Sequence, residues 1–285
     1  MNQGESQNII DAAVVKKILK PRDPFSHKGN YGHACLIAGS IGLMGAAVLS
    51  VKACLRSGAG KVTACTAGVG YNILQISAPE AMTKIAGENF ITAADDLEKF
   101  DSMGIGPGLG LYTSHKELLQ NIFSIFKKQI VVDADALNII SQNKNLLQLL
   151  PPNTILTPHQ VEFERLFGKA ATKAERIQLA MDMCHQYKIF IILKGHRTLI
   201  AAPDKNIYFN STGNAGMATG GSGDVLTGIL TGLSAQGYPP LETCLSGVYL
   251  HGLAGDIAAE KFSQQAMIAG DIIDCLPNAF KQSCK

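Results

Sequence analysis

The segment best suited to chemistry lies between Gly213 and Gly237, where four small residues stand directly before an apolar-periodic helix. The four are Gly220, Gly221, Ser222 and Gly223, and Asp224 follows them in the first helical turn. Glycines at a helix start let the backbone approach an anion, and the exposed amides and helix dipole stabilise its charge. The pattern predicts an anion hole for a transferring phosphoryl group, with Asp224 as the base that deprotonates the attacking hydroxyl. The alternative is that Asp224 only complements the helix dipole.

His159 and Glu162 stand near the start of another predicted helix, which follows a short apolar strand. A purely structural explanation makes Thr157 the N-cap, Pro158 the first helical residue and Gln160 the capping-box partner. It leaves His159 and Glu162 without a role. Glu162 is a candidate for holding Mg²⁺ through water, because Mg²⁺ keeps much of its hydration shell, and a solvated surface glutamate is the alternative.

Three further turns follow predicted strands. Asp133 and Asp135 flank a strand end, where paired carboxylates suit metal or hydroxyl contacts, unless one of them simply starts the next helix. The GPGLG loop at residues 106–110 either contacts a ligand or is a plain turn. The turn KGHRT at residues 194–198 suits nucleotide phosphate or ribose, or is an ordinary basic turn.

The elements that must position these residues alternate between apolar strands and helices. Strands are predicted at residues 34–38, 61–66, 102–106, 129–133, 154–156 and 189–193, and a hairpin at 198–202 and 207–209. Helices are predicted at residues 46–57, 114–127, from 160, 173–187, 223–235, 241–260 and 268–279. Strands that are apolar on both faces indicate a mostly parallel sheet covered by helices, and we expect one domain over residues 1–285. Such sheets bind ligands beyond the carboxyl ends of their strands, so the turns should converge on one edge.

Composition excludes several classes of protein. The 285-residue chain has a formal net charge of +2 and no basic tract, which argues against a nucleic-acid partner. Its seven scattered cysteines, without a CxxC pair, are typical of reduced thiols in the cytoplasm. The start MNQGESQN lacks a signal-peptide pattern, and no apolar run reaches the roughly 18 residues of a membrane span. We therefore expect a cytoplasmic protein that binds neither membranes nor nucleic acid.

Familiar cofactor motifs are also missing. Gly60-Lys61-Val62 resembles a P-loop, but Leu55 stands where the earlier glycine is needed and Val62 has no hydroxyl for magnesium. The turn Gly39–Gly45 has the wrong spacing for a dinucleotide fingerprint. There is no HExxH motif and no Cys/His cluster, so a zinc site is not expected.

Taken together, the motifs resemble the ADP-dependent NAD(P)H-hydrate dehydratase family, a branch of the ribokinase-like superfamily. They are KGNYGHACLIAGSIGLMGAA, RSGAGKV, GIGPGLG, VVDADALN, ILTPHQVEFERLFG, ILKGHRT and GNAGMATGGSGDVLTGILTGLSAQG, in family order from Lys28 to Gly237. The resemblance implies a ribokinase-like three-layer sandwich, an α/β fold with a mostly parallel central sheet flanked by helices. It also implies a stand-alone catalytic form, without the epimerase domain that is often fused ahead of it.

The resemblance implies a metabolite-repair lyase. ADP, or ATP in some members, and hydrated NADH or NADPH would give AMP, phosphate and restored NAD(P)H, with Mg²⁺ as a cofactor and a homo-oligomer such as a tetramer as the assembly. Asp224 would be the base and Gly220 to Gly223 the anion hole, with Gly223 close to the nucleotide. The implied contacts to hydrated dinucleotide are Ala46 or Ala47, Gly108, Gly110, His159 and Asp224. The implied contacts to AMP are Lys194, Gly195, His196, Arg197, Thr198 and Gly223.

The chain departs from the family pattern after His159, where Gln160-Val161 replaces the common Pro-Gly. Sugar kinases of the superfamily usually carry Asn where His159 stands, which favours the dehydratase. A kinase of a small alcohol, such as a sugar or vitamin precursor, is the alternative, because the anion hole and Asp224 would serve it equally. A nucleotide-sensing module without turnover is a third hypothesis, which the retention of Asp224 disfavours.

Overall fold

The computed structural model describes residues 8–284, and the strands of that range form a single sheet. The strands are β1 (Ile9–Ile10), β2 (His33–Ile37), β3 (Lys61–Thr66), β4 (Met82–Ile85), β5 (Ser102–Ile105), β6 (Gln129–Val132), β7 (Ile155–Leu156), β8 (Phe190–Leu193), β9 (Leu199–Ala201) and β10 (Ile207–Asn210). Their order is β1-β10-β9-β8-β7-β6-β5-β2-β3-β4.

The α-helices cover both faces of this sheet. They are α1 (Ala12–Ile18), α2 (Met44–Arg56), α3 (Tyr71–Ser77), α4 (His115–Ile125), α5 (Ala134–Gln142), α6 (Gln160–Phe167), α7 (Lys173–Tyr187), α8 (Ser222–Ala235), α9 (Pro240–Phe262) and α10 (Ala269–Ser283). β8, β9 and β10 pair antiparallel and the other neighbours pair parallel, so the predicted hairpin and the mostly parallel sheet are both confirmed.

The central strands are buried on both faces because their side chains alternate between two apolar layers. In β6, Val132 packs into a core with α4 to α7, while Val131 packs into a core with α8, α9 and α10. In β7, Leu156 and Ile155 divide between the same two layers. This alternation explains why the strand segments are continuous apolar runs.

The prediction missed β1, α1, α3 and β4, and it gave no bounds for α5, although it allowed a helix to start at Asp133 or Asp135. β4 is an edge strand whose residues are exposed or half-buried, so it lacks the apolar run that marks the inner strands. β1 has two residues, too few to show a pattern. In the part of the chain that the structure describes, no helix is both long and apolar enough to span a membrane.

Helices α2 and α8 approach each other so closely that glycine is needed at the contact. A methyl group on Gly228 of α8 would lie 2.1 Å from the Ser50 carbonyl oxygen of α2. One turn later, a methyl group on Gly232 would lie 2.8 Å from the Cys54 carbonyl oxygen. The contact therefore fixes the start of α8, with its glycines and Asp224, relative to the start of α2.

Candidate active site

The GPGLG loop after β5 packs directly against the turn that starts α5. A methyl group on Gly106 (φ 126°) would lie 1.9 Å from the Asp133 carbonyl oxygen, so only glycine allows this approach. The Gly110 amide donates a hydrogen bond of 2.8 Å to Oδ2 of Asp135. Asp135 therefore holds the loop in place.

The same loop contacts the start of α2. The Ser40 hydroxyl donates to the Gly108 carbonyl at 2.9 Å, and a methyl group on Gly108 would lie 3.1 Å from Cβ of Ala46. Ala46 is half-buried, whereas Ala47 is fully buried. Of the two alanines implied by the family resemblance, Ala46 is therefore the one that lies at the accessible surface beside the loop.

Helix α8 begins at Ser222, after Gly221 in a left-handed conformation (φ 92°). A side chain at Gly221 would lie 2.4 Å from Cδ1 of Leu49, whereas Gly220 has open space around its α-carbon. Gly221 is therefore required by the backbone turn, and Gly220 is not restricted by packing. The turn leaves the first amides of α8 without intrahelical acceptors, which is the arrangement that binds anions.

Asp224 lies half-buried in the first turn of α8. Its carboxylate takes part in no hydrogen bond or ion pair with residues 8–284. Burial, with the nearby Asp133 and Asp135 charges, raises the pKa of Asp224 to about 7 from its usual 3.8, although Lys194 opposes the rise. A carboxyl group whose pKa lies near 7 and which has no structural partner has the properties of a general base.

Asp133, at the carboxyl end of β6, connects two elements of the site. Its Oδ1 lies 2.7 Å from Nζ of Lys194, and its Oδ2 accepts a 2.8 Å hydrogen bond from the Thr227 hydroxyl of α8. Asp133 is 1% exposed and precedes α5, but its side chain does not cap that helix. The carboxylate instead positions Lys194 beside α8.

The capping of α6 differs from the structural explanation, although the helix begins at Gln160 as predicted. Thr157 is not the N-cap, because its amide continues the sheet by donating to the Val132 carbonyl at 3.1 Å and its side chain is buried. His159 is the N-cap: its Nδ1 accepts from the amides of Val161 and Glu162, at 3.2 and 3.4 Å. The Glu162 carboxylate accepts from the His159 amide at 2.8 Å and completes the capping box.

This capping box determines the hydrogen bonding of the His159 and Glu162 side chains and favours the neutral form of His159. Oε1 of Glu162 lies 3.3 Å from Nε2 of His159, so an imidazole that accepts at Nδ1 can donate at Nε2. Burial and the Lys194 charge lower the pKa of His159, which favours this neutral form. Glu162 is 6% exposed, so the alternative of a solvated surface glutamate is wrong, and burial raises its pKa.

The KGHRT turn lines a cavity of about 700 Å³ that extends to the start of α8. Besides this turn, the lining includes His159, Asn210, Asn214, Ser222, Gly223 and His251. The volume lies within the range of about 300–1,000 Å³ that is typical of small-molecule sites. A larger cavity of about 900 Å³ is lined mainly by residues between 19 and 31, by the end of α2 and by residues of α10, and none of the predicted site residues lines it.

Several residues of the site were missed from the sequence. Thr227 contacts Asp133, and Nε2 of His251 lies 3.3 Å from the Ser222 hydroxyl. Burial lowers the pKa of His251 to about 4, so the imidazole is neutral at pH 7. Asp256 accepts from the Gly213 amide at 2.9 Å and fixes the turn before α8. Thr227 belongs to the motif at residues 213–237, but nothing in its local sequence marked it as a partner of Asp133. His251 and Asp256 lie inside the long helix α9, outside every motif that the sequence analysis used.

The residues of the site do not form a direct metal-binding cage. Within residues 8–284, no group of three or more His, Cys, Asp or Glu side chains is arranged to hold a metal ion. Both carboxylate oxygens of Glu162 are already engaged by His159. Water or ligand oxygens would therefore have to supply most of the coordination of a Mg²⁺ ion bound here, since Mg²⁺ usually keeps several waters.

Comparison with known proteins places this geometry in a family. Residues 34–278 match the NAD(P)H-hydrate dehydratase family. The ADP-dependent (S)-NAD(P)H-hydrate dehydratase of Neisseria meningitidis is 39% identical, over 94% of this chain and 92% of that protein. The bifunctional NAD(P)H-hydrate repair enzyme of Moorella thermoacetica is also 39% identical, and the chain spans about half of that relative's length, 53%.

A solved structure shows the same architecture. The crystal structure of the ADP/ATP-dependent NAD(P)H-hydrate dehydratase of Bacillus subtilis, co-crystallised with ATP and Mg²⁺, has a TM-score of 0.85 and 29% identity, and covers 97% of this chain and 98% of that chain. A ribokinase-like superfamily protein of Enterococcus faecalis has a TM-score of 0.87 and 30% identity, over 100% of this chain and 99% of that chain, and so confirms the ribokinase-like fold. Since the match contains the GPGLG loop, the His159 helix start, the KGHRT turn and the start of α8, the chain belongs to the NAD(P)H-hydrate dehydratase family.

Proposed function

We propose that this protein uses ADP, or ATP, to dehydrate hydrated NADH or NADPH and so restores the reduced dinucleotide. The observation that carries the proposal is the position of Asp224, whose carboxyl group lies at a glycine-rich helix start without a structural partner. The family to which the chain belongs is named for this reaction. The anion hole and the base lie on one helix turn, so deprotonation and phosphoryl binding can act on the same reacting oxygen.

The reaction has two chemical steps. Asp224 takes the proton of the hydroxyl group that hydration placed on the nicotinamide ring, and the oxygen attacks the terminal phosphorus of ADP. The bond from that phosphorus to the AMP oxygen breaks, and AMP leaves. Phosphate then departs with the C–O bond electrons, and loss of a ring proton regenerates the double bond. The sum converts ADP and hydrated NAD(P)H to AMP, phosphate and NAD(P)H.

The two ligands would occupy different sides of the start of α8. We assign AMP to the cavity lined by the KGHRT turn, residues 194–198, and Gly223. We assign the hydrated dinucleotide to Ala46, Gly108 and Gly110, and to His159, which also lines the AMP cavity and would lie where the two ligands meet. Gly221 to Gly223 would form the anion hole between the ligands. Mg²⁺ would arrive on the nucleotide phosphates, and Glu162 would reach it only through water.

The direct test is a repair assay with purified protein, hydrated NADH or NADPH, and each nucleotide in turn. We expect recovery of the reduced-nicotinamide absorbance together with one AMP per dinucleotide when ADP is used. A kinase would instead accumulate a stable phosphoester, and a nucleotide sensor would bind ADP without turnover. Either of these two results would refute the dehydratase.

The pH dependence of the reaction should report Asp224. The base must be deprotonated, and its pKa is raised to about 7, so kcat/KM should fall as the pH drops through about 7. On the acidic side, the slope of log kcat/KM against pH should correspond to fewer than two protons. The midpoint of this decrease should shift when a neighbouring charge is removed. Measuring kcat/KM between pH 5 and 9 tests this, and a profile that stays flat down to pH 5 would contradict the assignment.

His159 should serve the hydrated dinucleotide as well as the α6 cap. We expect His159→Ala to weaken hydrated-dinucleotide binding more than ADP binding and to cost about 1 kcal/mol of stability through the lost cap. His159→Asn is the matched control, because Asn also caps helices and should recover the stability without recovering substrate binding. Calorimetric titrations and thermal unfolding separate the two effects, and equal losses of ADP and dinucleotide affinity would count against this role.

We further expect a homo-oligomer such as a tetramer, which the family resemblance implies, and a cytoplasmic location, which the scattered cysteines indicate. Light scattering on the purified protein would measure the assembly directly.

A further inference from the structure

Lys194 places a cation against the first turn of α8. Its Nζ is 2.7 Å from Oδ1 of Asp133, and a methyl group on Gly223 would lie 3.2 Å from the same Nζ. The side chain is 22% exposed, so part of it remains accessible from the cleft. An ammonium group has three N–H donors, and the contact with Asp133 uses one of them.

We propose that Lys194 is a catalytic residue whose ammonium group stabilises the phosphoryl group in transit, and that Asp133 and Thr227 position it. The inference rests on the proposed function and refines it: Lys194, at the α8 end of the AMP cavity, would contact the transferring phosphoryl group, and residues 195–198 of the KGHRT turn would contact AMP. While the substrate oxygen bonds to phosphorus and the bond to AMP breaks, Lys194 donates hydrogen bonds to the phosphoryl oxygens and keeps its proton. The hydroxyl proton goes to Asp224.

The location of Lys194 distinguishes it from the other residues of the KGHRT turn. Gly195, His196 and Arg197 are exposed, and Thr198 closes the turn through a 3.2 Å hydrogen bond to the Gly195 carbonyl. Lys194 instead extends the sheet, because its amide donates to the Pro158 carbonyl at 2.9 Å, and its side chain reaches α8. The cation therefore lies beside the base and the anion hole.

Asp133 and Thr227 fix the charge at this point. Asp133 is 1% exposed and Thr227 is fully buried, so their 2.8 Å hydrogen bond is shielded from water. A Lys side chain on its own has many rotamers, and holding it against a buried carboxylate removes that freedom before the nucleotide binds. A fixed cation stabilises a transition state better than a mobile one because it needs no reorganisation during the reaction.

The first test replaces Lys194 by Met, which keeps the length of the side chain and removes the charge. We expect kcat to fall by about a hundredfold or more, whereas the Kd of AMP, which lacks the transferring phosphoryl group, changes by no more than about twofold. Lys194→Arg, which keeps a positive charge, should have a kcat at least tenfold higher than that of Lys194→Met. Lys205→Met, on an exposed lysine of the neighbouring hairpin, is the control and should match wild type.

The second test uses Thr227, in case Lys194→Met disturbs folding. Thr227→Val preserves shape but leaves Oδ2 of Asp133 without its hydroxyl donor, and Thr227→Ser restores the donor. We expect Thr227→Val to lower kcat about five- to tenfold while the AMP affinity stays unchanged. Thr227→Ser should have a kcat close to that of wild type. Unchanged kcat in Lys194→Met, or equal losses of kcat and AMP affinity, would overturn this inference while wild-type repair activity persists. A wild-type protein without repair activity would refute the proposed function instead.

Discussion

Replacing Asp224 by Asn should lower kcat for the repair reaction by about three orders of magnitude while ADP binding stays close to that of wild type. The amide keeps the shape of the carboxyl group but cannot accept the substrate proton, and a positioned general base contributes roughly 10²- to 10⁴-fold. Steady-state kinetics and a calorimetric ADP titration measure the two quantities separately. Asp182→Asn, on a residue of α7 whose side chain is 45% exposed, is the control and should leave both unchanged. Full activity in Asp224→Asn would refute the assignment of the base.

The same substitution should stabilise the protein above neutral pH. Asp224 has a folded-state pKa of about 7 against an ordinary value of 3.8, so the folded state resists losing the proton. The free energy of unfolding therefore decreases as the pH rises from about 4 to 7, because the Asp224 carboxyl group ionises more easily in the unfolded state. Asn does not ionise, so the substitution removes this decrease. We expect the free energy of unfolding at pH 8 to rise by roughly 1–3 kcal/mol, allowing for solvent screening, and to be little changed at pH 4. Denaturant unfolding at both pH values would show whether the gain has this pH dependence.

Replacing Gly228 by Ala should destabilise the protein strongly, although Ala is normally favoured in a helix. Ala gains up to about 1 kcal/mol over Gly in a helix interior. Here its methyl group would lie 2.1 Å from the Ser50 carbonyl oxygen, which belongs to a backbone that cannot move without separating α2 from α8. We expect a net loss of about 3 kcal/mol. The melting temperature should fall by roughly 5 °C.

Gly45→Ala is the matched control for this effect. Gly45 also lies in a helix, α2, but a methyl group there would meet nothing within 4 Å. The substitution should leave stability unchanged or raise it by up to about 1 kcal/mol. Thermal unfolding should therefore show stability changes of opposite sign for Gly228→Ala and Gly45→Ala, or at least a large difference between them. Equal stability of Gly228→Ala and Gly45→Ala would show that the contact between α2 and α8 can yield without cost.

The contact between α2 and α8 links the packing of the protein to the geometry of the proposed active site. Ala46 lies on α2 and Asp224 on α8, so a change in the distance between the two helices moves the proposed substrate contact relative to the base. Gly228→Ala should therefore lower activity beyond the fraction that is unfolded. The loss of activity should exceed the loss of folded protein when both are measured at the same temperature.

The local patterns were sufficient for the main elements and for the part of the site that lies in loops. The limits of β3 and α7 and the start of α6 agree with the predicted ones, because each is an uninterrupted apolar or amphipathic run with clear ends. The glycines before Asp224 were informative because a left-handed turn at a helix start has few solutions other than glycine. Convergence of the turns followed from the parallel sheet alone.

Other features depended on contacts that no local pattern contains. The cap of α6 was assigned to Thr157 because Ser and Thr are the usual caps, but pairing of β7 with β6 kept Thr157 in the sheet and moved the cap to His159. The choice between Ala46 and Ala47 depended on which face of α2 turns toward the GPGLG loop, and Ala47 is the one that packs inward.

The sequence by itself therefore determined the order of the inner strands and the longer helices, the glycine-rich helix start and the presence of a carboxyl group within it. Only the tertiary structure decided which charges surround that carboxyl group. Asp133 meets Lys194, 61 residues away, and Thr227, 94 residues away. Such pairs depend on the register between distant elements, and the burial that raises the pKa of Asp224 exists only once those elements have packed.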